Sequence, residues 1–227
     1  MPSLPDIPLP DLAALALIVA LAWATGRLTE RPPATRPSVT ILMNDYRRRW
    51  MREFVTRQPR IFDAAIIDSL RQGTAFFASA CLIAIGAGVA LIGNPGQLQA
   101  LMTTHPGLTS PVPADWRLAL VLAFLANALL KFLWANRLFG YCAVMMAAVP
   151  NDTSDTAACY DMAARAAEMN ITAARSFNRG LRSIYYAVGA MGWLAGPAGL
   201  AAGAVFATTV MLRREFFSAS RRIVAGS

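Results

Sequence analysis

"TAFFASACLIAIGAGVALI", residues 74 to 92, runs for nineteen residues without a charged side chain. As a helix it rises about 28 Å at 1.5 Å per residue, close to the roughly 30 Å hydrocarbon core of a bilayer. A helix also satisfies its own backbone donors and acceptors, which is the condition for crossing lipid. The stretch therefore reads as a transmembrane helix.

The rest of the chain agrees with that reading. Of its 227 residues 56% are hydrophobic and 15% charged, where a soluble domain carries about a quarter charged residues. The excess is gathered into blocks at about 11–26, 73–92, 116–136 and 184–212. The pattern predicts an all-α, polytopic integral membrane protein forming a single membrane domain, residues 1–227. It has three clear transmembrane helices and a Gly/Pro-broken fourth block. Two cytoplasmic helices are expected at about 38–58 and 154–178. The first block is not read as a signal peptide: Asp6 and Asp11 precede or open it, and no basic residue comes before Arg27. The third block stays largely apolar from Trp116 to Val149, so its helix either continues into the cytoplasm or bends near "WANRLF".

Charge orients the chain. The net charge is +8, and Lys131 is the only lysine among 21 basic residues. Ten basic residues fall between residues 27 and 71 and none between 72 and 116. The positive-inside rule then places the N-terminus outside and both long connections in the cytoplasm. Residues 93–115, with the lone histidine His105, form an extracytoplasmic loop. The fourth block poses a choice. As one straight helix its 29 residues would measure about 43 Å, more than a bilayer core, yet each half alone is short for a crossing. A re-entrant hairpin about Gly196–Pro197 keeps every arginine cluster inside, whereas a single tilted span puts "RREFFSASRR" outside. Gly192/Gly196 and Gly199/Gly203 are GxxxG pairs suited to close helix packing. Small residues at Ala16/Ala20/Ala24 and Ala80/Ala84/Gly88 offer similar faces.

The two cytoplasmic helices are patterned differently. In the first, Val39, Met43, Tyr46, Trp50 and Phe54 form an apolar stripe, and Asp45, Arg49, Glu53 and Arg57 alternate in sign along another face. The stripe suits a membrane interface or the protein's own cytoplasmic parts. The second is alanine-rich, carries an Asp161/Arg165 pair, and is expected to stop near Gly180. Arg60 with Asp63, and Asp68 with Arg71, are spaced to pair along one turn.

Catalytic motifs are absent: the sequence holds no GxSxG, HExxH or P-loop, and the reading is a non-enzyme without cofactor. Cys81, Cys142 and Cys159 are scattered and suggest neither a disulfide framework nor a zinc site. The one-sided charge points to anionic lipid headgroups rather than nucleic acid. Polar groups inside the apolar blocks are the candidate site, because they are costly there. Asn127 and Lys131 share a helix face, Asn136 and Arg137 follow, and a fold-back of the last block would bring Asn178, Arg182, Arg213 and Glu215 to them. Lys131, about 22 Å beyond Trp116, can snorkel to the interface; Asn127, about 16 Å in, cannot, and is expected to face a helix or a pore.

"RIFDAAIIDSL", "TAFFAS", "KFLWANRLF", "SFNRGLRSIYYA" and "RREFFS" resemble the bacterial and plant membrane-protein family known as domain of unknown function five-nine-nine, over roughly residues 40 to 218. The resemblance implies a small multi-helix membrane protein and assigns no activity. The expected function is a homo-oligomeric channel or transporter-like protein with an arginine-rich cytoplasmic face, or else a non-catalytic accessory subunit of a larger membrane complex.

Overall fold

The structure, a computed structural model, describes residues 7–94, 96–97, 111–152 and 156–226. His105 and most of the 93–115 loop lie outside the described residues. Among the described residues these α-helices follow one another: α1 (Leu9–Glu30), α2 (Val39–Thr56), α3 (Ile61–Ile92), α4 (Ala114–Ala147), α5 (Thr156–Ala190), α6 (Pro197–Phe216) and α7 (Ala219–Ala225). A short 3-10 turn, Met191–Ala195, joins α5 to α6. Three of these, α1, α3 and α4, are long and apolar enough to cross a membrane.

The third apolar block continues through "WANRLF"; α4 runs on as one helix of 34 residues. Helix α5 likewise runs through Gly180, contrary to the expected stop, and reaches Ala190. Gly180 serves packing instead: a Cβ there would meet the Phe132 ring at 2.7 Å. Phe132 stacks on Phe77 and meets Phe177 edge-on, so the glycine seats an aromatic cluster joining α3, α4 and α5.

Beyond α5 the chain turns back on itself. Gly196 adopts φ 89°, a conformation favouring glycine, and Pro197 then opens α6 at a position where its missing N–H costs nothing. The two arms approach closely enough for backbone to meet backbone. A Cβ on Gly189 would lie 2.7 Å from the Gly203 carbonyl oxygen, and Gly192 and Gly199 abut in the same way. The GxxxG glycines thus pair across the hairpin rather than with a separate helix. The hairpin tip reaches the start of α1, where Trp193 Nε1 donates to the buried Asp11 carboxylate at 2.7 Å. The far end of α6 lies beyond the close of α1, where Glu215 meets Thr40. Helix α6 therefore runs alongside α1, and its 20 residues span about 30 Å.

Two core regions result. One joins α1, α4, α5 and α6 through Ala14, Ile18, Tyr186, Ala187, Leu200 and Ala204. The other gathers the start of α3 and the end of α4 with α2 and the first half of α5, through Met51, Phe54, Ile67, Met146 and Ala163. The apolar stripe of α2 is thus spent on protein: Phe54 is buried and Trp50 packs against this core, though Tyr46 stays exposed. The small-residue faces expected on α1 and α3 are not where those helices pack. Ala16, Ala20, Ala80 and Ala84 are exposed, while Ala14, Ile18, Ala78 and Cys81 face inward. Of that set Gly88 packs against Leu122 of α4, and Ala24 is half-buried.

Several ion pairs are redirected too. Asp63 is fully buried and pairs with Arg57, not Arg60, and also accepts from Trp50 Nε1 at 2.6 Å. Arg60 turns instead to the carbonyls of Val55, Val149 and Pro150, where the end of α4 presents unpaired oxygens that attract a cation. Asp68 accepts from Gln72, and Arg71 donates to Asn136. On α2, Arg48 rather than Arg49 binds Asp45 and reaches across to Glu168 of α5 at 2.8 Å. Asp161 and Arg165 pair at 2.7 Å, as their spacing predicts.

The glycine contacts yield a direct test. Gly203→Val should lower unfolding stability in mixed micelles by about 3 kcal/mol or more, because backbone cannot yield to the new side chain. Gly86→Val, where nothing lies within 4 Å of an added Cβ, should change it by less than about 0.5 kcal/mol.

Candidate functional site

A polar belt crosses the bundle where α1 ends. Glu30, the last residue of α1, accepts from Arg179 Nε at 2.8 Å and from Arg179 Nη2 at 2.5 Å, and also pairs with Arg182. The Arg182 side chain is 10% exposed and that of Glu30 17%, so this pair is held largely away from water. Thr25 and Thr208 both hydrogen-bond the buried Tyr186 hydroxyl at 2.8 Å, tying α1 and α6 to α5 one turn deeper.

Two cavities adjoin this belt and share Glu30. The smaller, about 210 Å³, lies among α1, α2, α5 and the end of α6; Thr40, Arg47, Arg175, Asn178 and Glu215 line it. Glu215 accepts from the Thr40 backbone N–H at 3.2 Å and from its hydroxyl at 3.0 Å, and so covers the first turn of α2. A carboxylate is favourable there because the N–H groups of a helix's first turn have no partner within the helix. Asn178 Nδ2 donates to the same hydroxyl at 3.3 Å. Arg47 reaches the buried Asn170 carbonyl oxygen, and Asn170 donates to Cys142 Sγ at 3.6 Å. Burial holds the Arg47 guanidinium below its usual pKa, an effect the Cys142 thiol opposes.

The larger cavity, about 420 Å³, is a groove between α1 and α4. Its floor is α5, with Arg179, Arg182, Ser183 and Tyr186; Trp23, Arg27 and Arg31 form one wall, and Phe124, Asn127 and Lys131 the other. Asn127 Nδ2 donates to Ser183 Oγ at 3.0 Å, and Ser183 Oγ donates to the Phe124 carbonyl at 2.6 Å. The Lys131 carbonyl accepts from Ser176 at 2.9 Å, which pins α4 to α5 beside the lysine.

The polar residues named from sequence therefore separate. Asn127, Lys131 and Arg182 meet in the larger groove, and Asn178 and Glu215 line the smaller cavity. Asn136 and Arg137 belong to neither: Asn136 accepts from Arg71, and Arg137 bonds Tyr141 on its own helix. Arg213 is exposed near the end of α6. Of the named glycines, Gly192, Gly199 and Gly203 pack the hairpin and Gly196 turns it. Glu30 escaped the sequence reading because it sits among prolines and arginines that look like a linker. Its signal was being the one acidic residue between Arg27 and Arg36.

Among the described residues the architecture is all-helical, and three helices of membrane-crossing length and composition mark a multi-pass membrane protein. A family described as "Protein of unknown function, DUF599" matches residues 13–220, and the chain belongs to that family. No curated protein and no solved structure matches the chain.

The Glu30 contacts predict an ordering of substitutions. Glu30→Gln should cost about 3 kcal/mol, since it leaves the buried Arg182 charge uncompensated. Arg179→Gln should cost less than about 1 kcal/mol, because that side chain is 46% exposed and water screens its pair. Equilibrium unfolding of both variants in mixed micelles checks the order; equal losses would contradict it.

Proposed function

We propose that this chain is a multi-pass protein of the bacterial inner membrane in which the end of α5 and all of α6 also cross the bilayer. That arrangement makes five spans, with the N-terminus outside and the C-terminus inside. Helix α6 supports it by lying alongside α1 over about the same length, with its tip at Asp11 and its end beside Thr40. Charge supports it as well: with both arms crossing, the arginines at 165–182 and 213–222 join those of residues 27–71 on the cytoplasmic side. The hairpin is then deeper than a re-entrant loop. Its rising arm is the end of α5 beyond Arg182, continued by the 3-10 turn. Helix α2 and the first half of α5 form the cytoplasmic head.

In this reading the protein acts as a homo-oligomeric channel or transporter-like protein that handles anions. The observation that carries it is the larger groove, where five basic side chains face a single carboxylate. Basic side chains lining a path select for anions, and polar groups inside a membrane bundle commonly mark such paths. A second reading, a non-catalytic accessory subunit, draws support from α3. Only 11% of its spanning window is buried within the chain, and Phe76, Leu82, Ile83 and Val89 are exposed. That face is available to lipid, to further copies or to other subunits.

Topology is tested by single-cysteine labelling in intact cells. Ala198 is exposed at the hairpin tip, so Ala198→Cys should react with a membrane-impermeant maleimide from the outer side. A C-terminal reporter should meanwhile read as cytoplasmic. Protection of Cys at position 198 from that reagent would favour a re-entrant loop. Function is tested by particle mass and chloride flux in proteoliposomes. A symmetric oligomer is expected to conduct, with Asn127→Leu lowering flux about fivefold or more through loss of a lining amide. A particle without flux would favour the accessory role.

A further inference from the structure

The larger groove carries more basic side chains than its own chemistry uses. Its carboxylate, Glu30, is already engaged by Arg179 and Arg182. Arg27, Arg31 and Lys131 remain, and none of the three has an ion pair with a carboxylate of the described residues. Arg27 rests against the Trp23 ring, 5.9 Å from its centroid, at the groove's edge. Lys131 is half-buried on the opposite wall. Three cations converging on a partly desolvated groove repel one another, and an anion between them relieves that repulsion.

The shape of the groove says which anion. Helices α1 and α4 both pack on α5 but scarcely on each other, so the groove opens sideways rather than only along the bundle. Its basic residues stand toward the Glu30 end. Toward the other end the lining is apolar, with Ala22, Trp23 and Phe124. A charged pocket continuous with an apolar, laterally open wall is complementary to an amphiphile with an anionic head. A freely soluble ion would use only the charged half.

We propose that this groove binds the phosphate of an anionic phospholipid, with Lys131, Arg27 and Arg31 holding the headgroup and the apolar end, where Trp23 and Phe124 face each other from opposite walls, holding the start of an acyl chain. Phosphate is the chemistry that a lipid and a soluble anion would share. The apolar wall assigns the lipid. The sole lysine thereby acquires a role: its flexible stem lets an ammonium reach a phosphate from a wall where a rigid guanidinium fork would need a fixed geometry. The site rests on the membrane placement of α1 and α4, and not on whether the assembly conducts.

Native mass spectrometry of the purified full-length protein tests this, with phosphatidylglycerol and phosphatidylcholine as probes at equal concentration and with inorganic phosphate as competitor. Phosphatidylglycerol should be retained in preference to phosphatidylcholine. Lys131→Gln should weaken that retention about fivefold, the double variant Lys131→Gln/Arg27→Gln more, and Lys131→Arg much less. Arg52→Gln removes the same charge from an exposed position outside the groove and should leave retention within about twofold. Thermal unfolding of each variant separates lost binding from lost fold, since these exposed or half-buried side chains should leave the midpoint nearly unchanged. An equal loss in Arg52→Gln would overturn the site in favour of diffuse surface attraction. Binding of inorganic phosphate without any preference for phosphatidylglycerol would overturn the lipid assignment. The labelling of Ala198→Cys and the flux measurement report separately on the topology and function proposed above, so a failure here is distinguishable from a failure there.

Discussion

Backbone contact between the two arms of the α5–α6 hairpin is the constraint on which the rest of the bundle depends. At Gly189 with Gly203, and at Gly192 with Gly199, there is no room for a side chain on either arm. Backbones this close gain dispersion contact along both arms that bulkier residues would prevent. Because the arms are so close, α6 can lie against α1 and bring Glu215 to Thr40. The same closeness turns Tyr186 of α5 toward Thr25 of α1, and Trp193 toward Asp11. The polar belt is assembled by a steric fact about glycine.

Within that frame, the chain treats its few carboxylates as fasteners. Glu30 joins α1 to α5, Asp63 joins α2 to α3, Glu215 joins α6 to α2, and Asp11 joins α1 to the hairpin tip. Glu30, Glu215 and Asp11 link segments distant in sequence and Asp63 links consecutive helices, and most of their partners are arginine or tryptophan donors. A buried charge is favourable only where such donors are supplied, which is why each carboxylate sits at a junction rather than on an open face. The basic residues outnumber these partners, and the surplus gathers at the Glu30 end of the bundle. The larger groove inherits part of it.

Membership of a family without an assigned activity places the weight of a functional reading on geometry. The groove supplies that geometry in chemical terms: excess positive charge, an amide and hydroxyls, and an apolar wall open to the side. Such a place favours amphiphilic anions whether the assembly conducts, scaffolds or senses lipid. The exposed face of α3 is a separate matter, since it carries apolar area without polar specificity.

The sequence by itself determined the long apolar helices, because nineteen uncharged residues leave few alternatives to a helix that satisfies its own backbone. It also determined the asymmetry of charge, which is a matter of composition along the chain, but it left the fourth block open between a hairpin about Gly196–Pro197 and a single span, a choice that packing made. Local spacing found the Asp161–Arg165 pair for the same reason: both partners sit on one helix. Tertiary structure alone decided where helices end and which faces pack. Gly180 continues a helix because Phe132 of another helix fills the space beside it, and Ala80 and Ala84 face outward because the neighbour of α3 lies on the other side. It also decided the fate of Lys131 and Asn127. Their helix face was legible from their spacing, but the arginines and Glu30 that share their groove lie about 50 or more residues away on either side. Distances of that kind are closed by packing, and no periodicity along one helix encodes them.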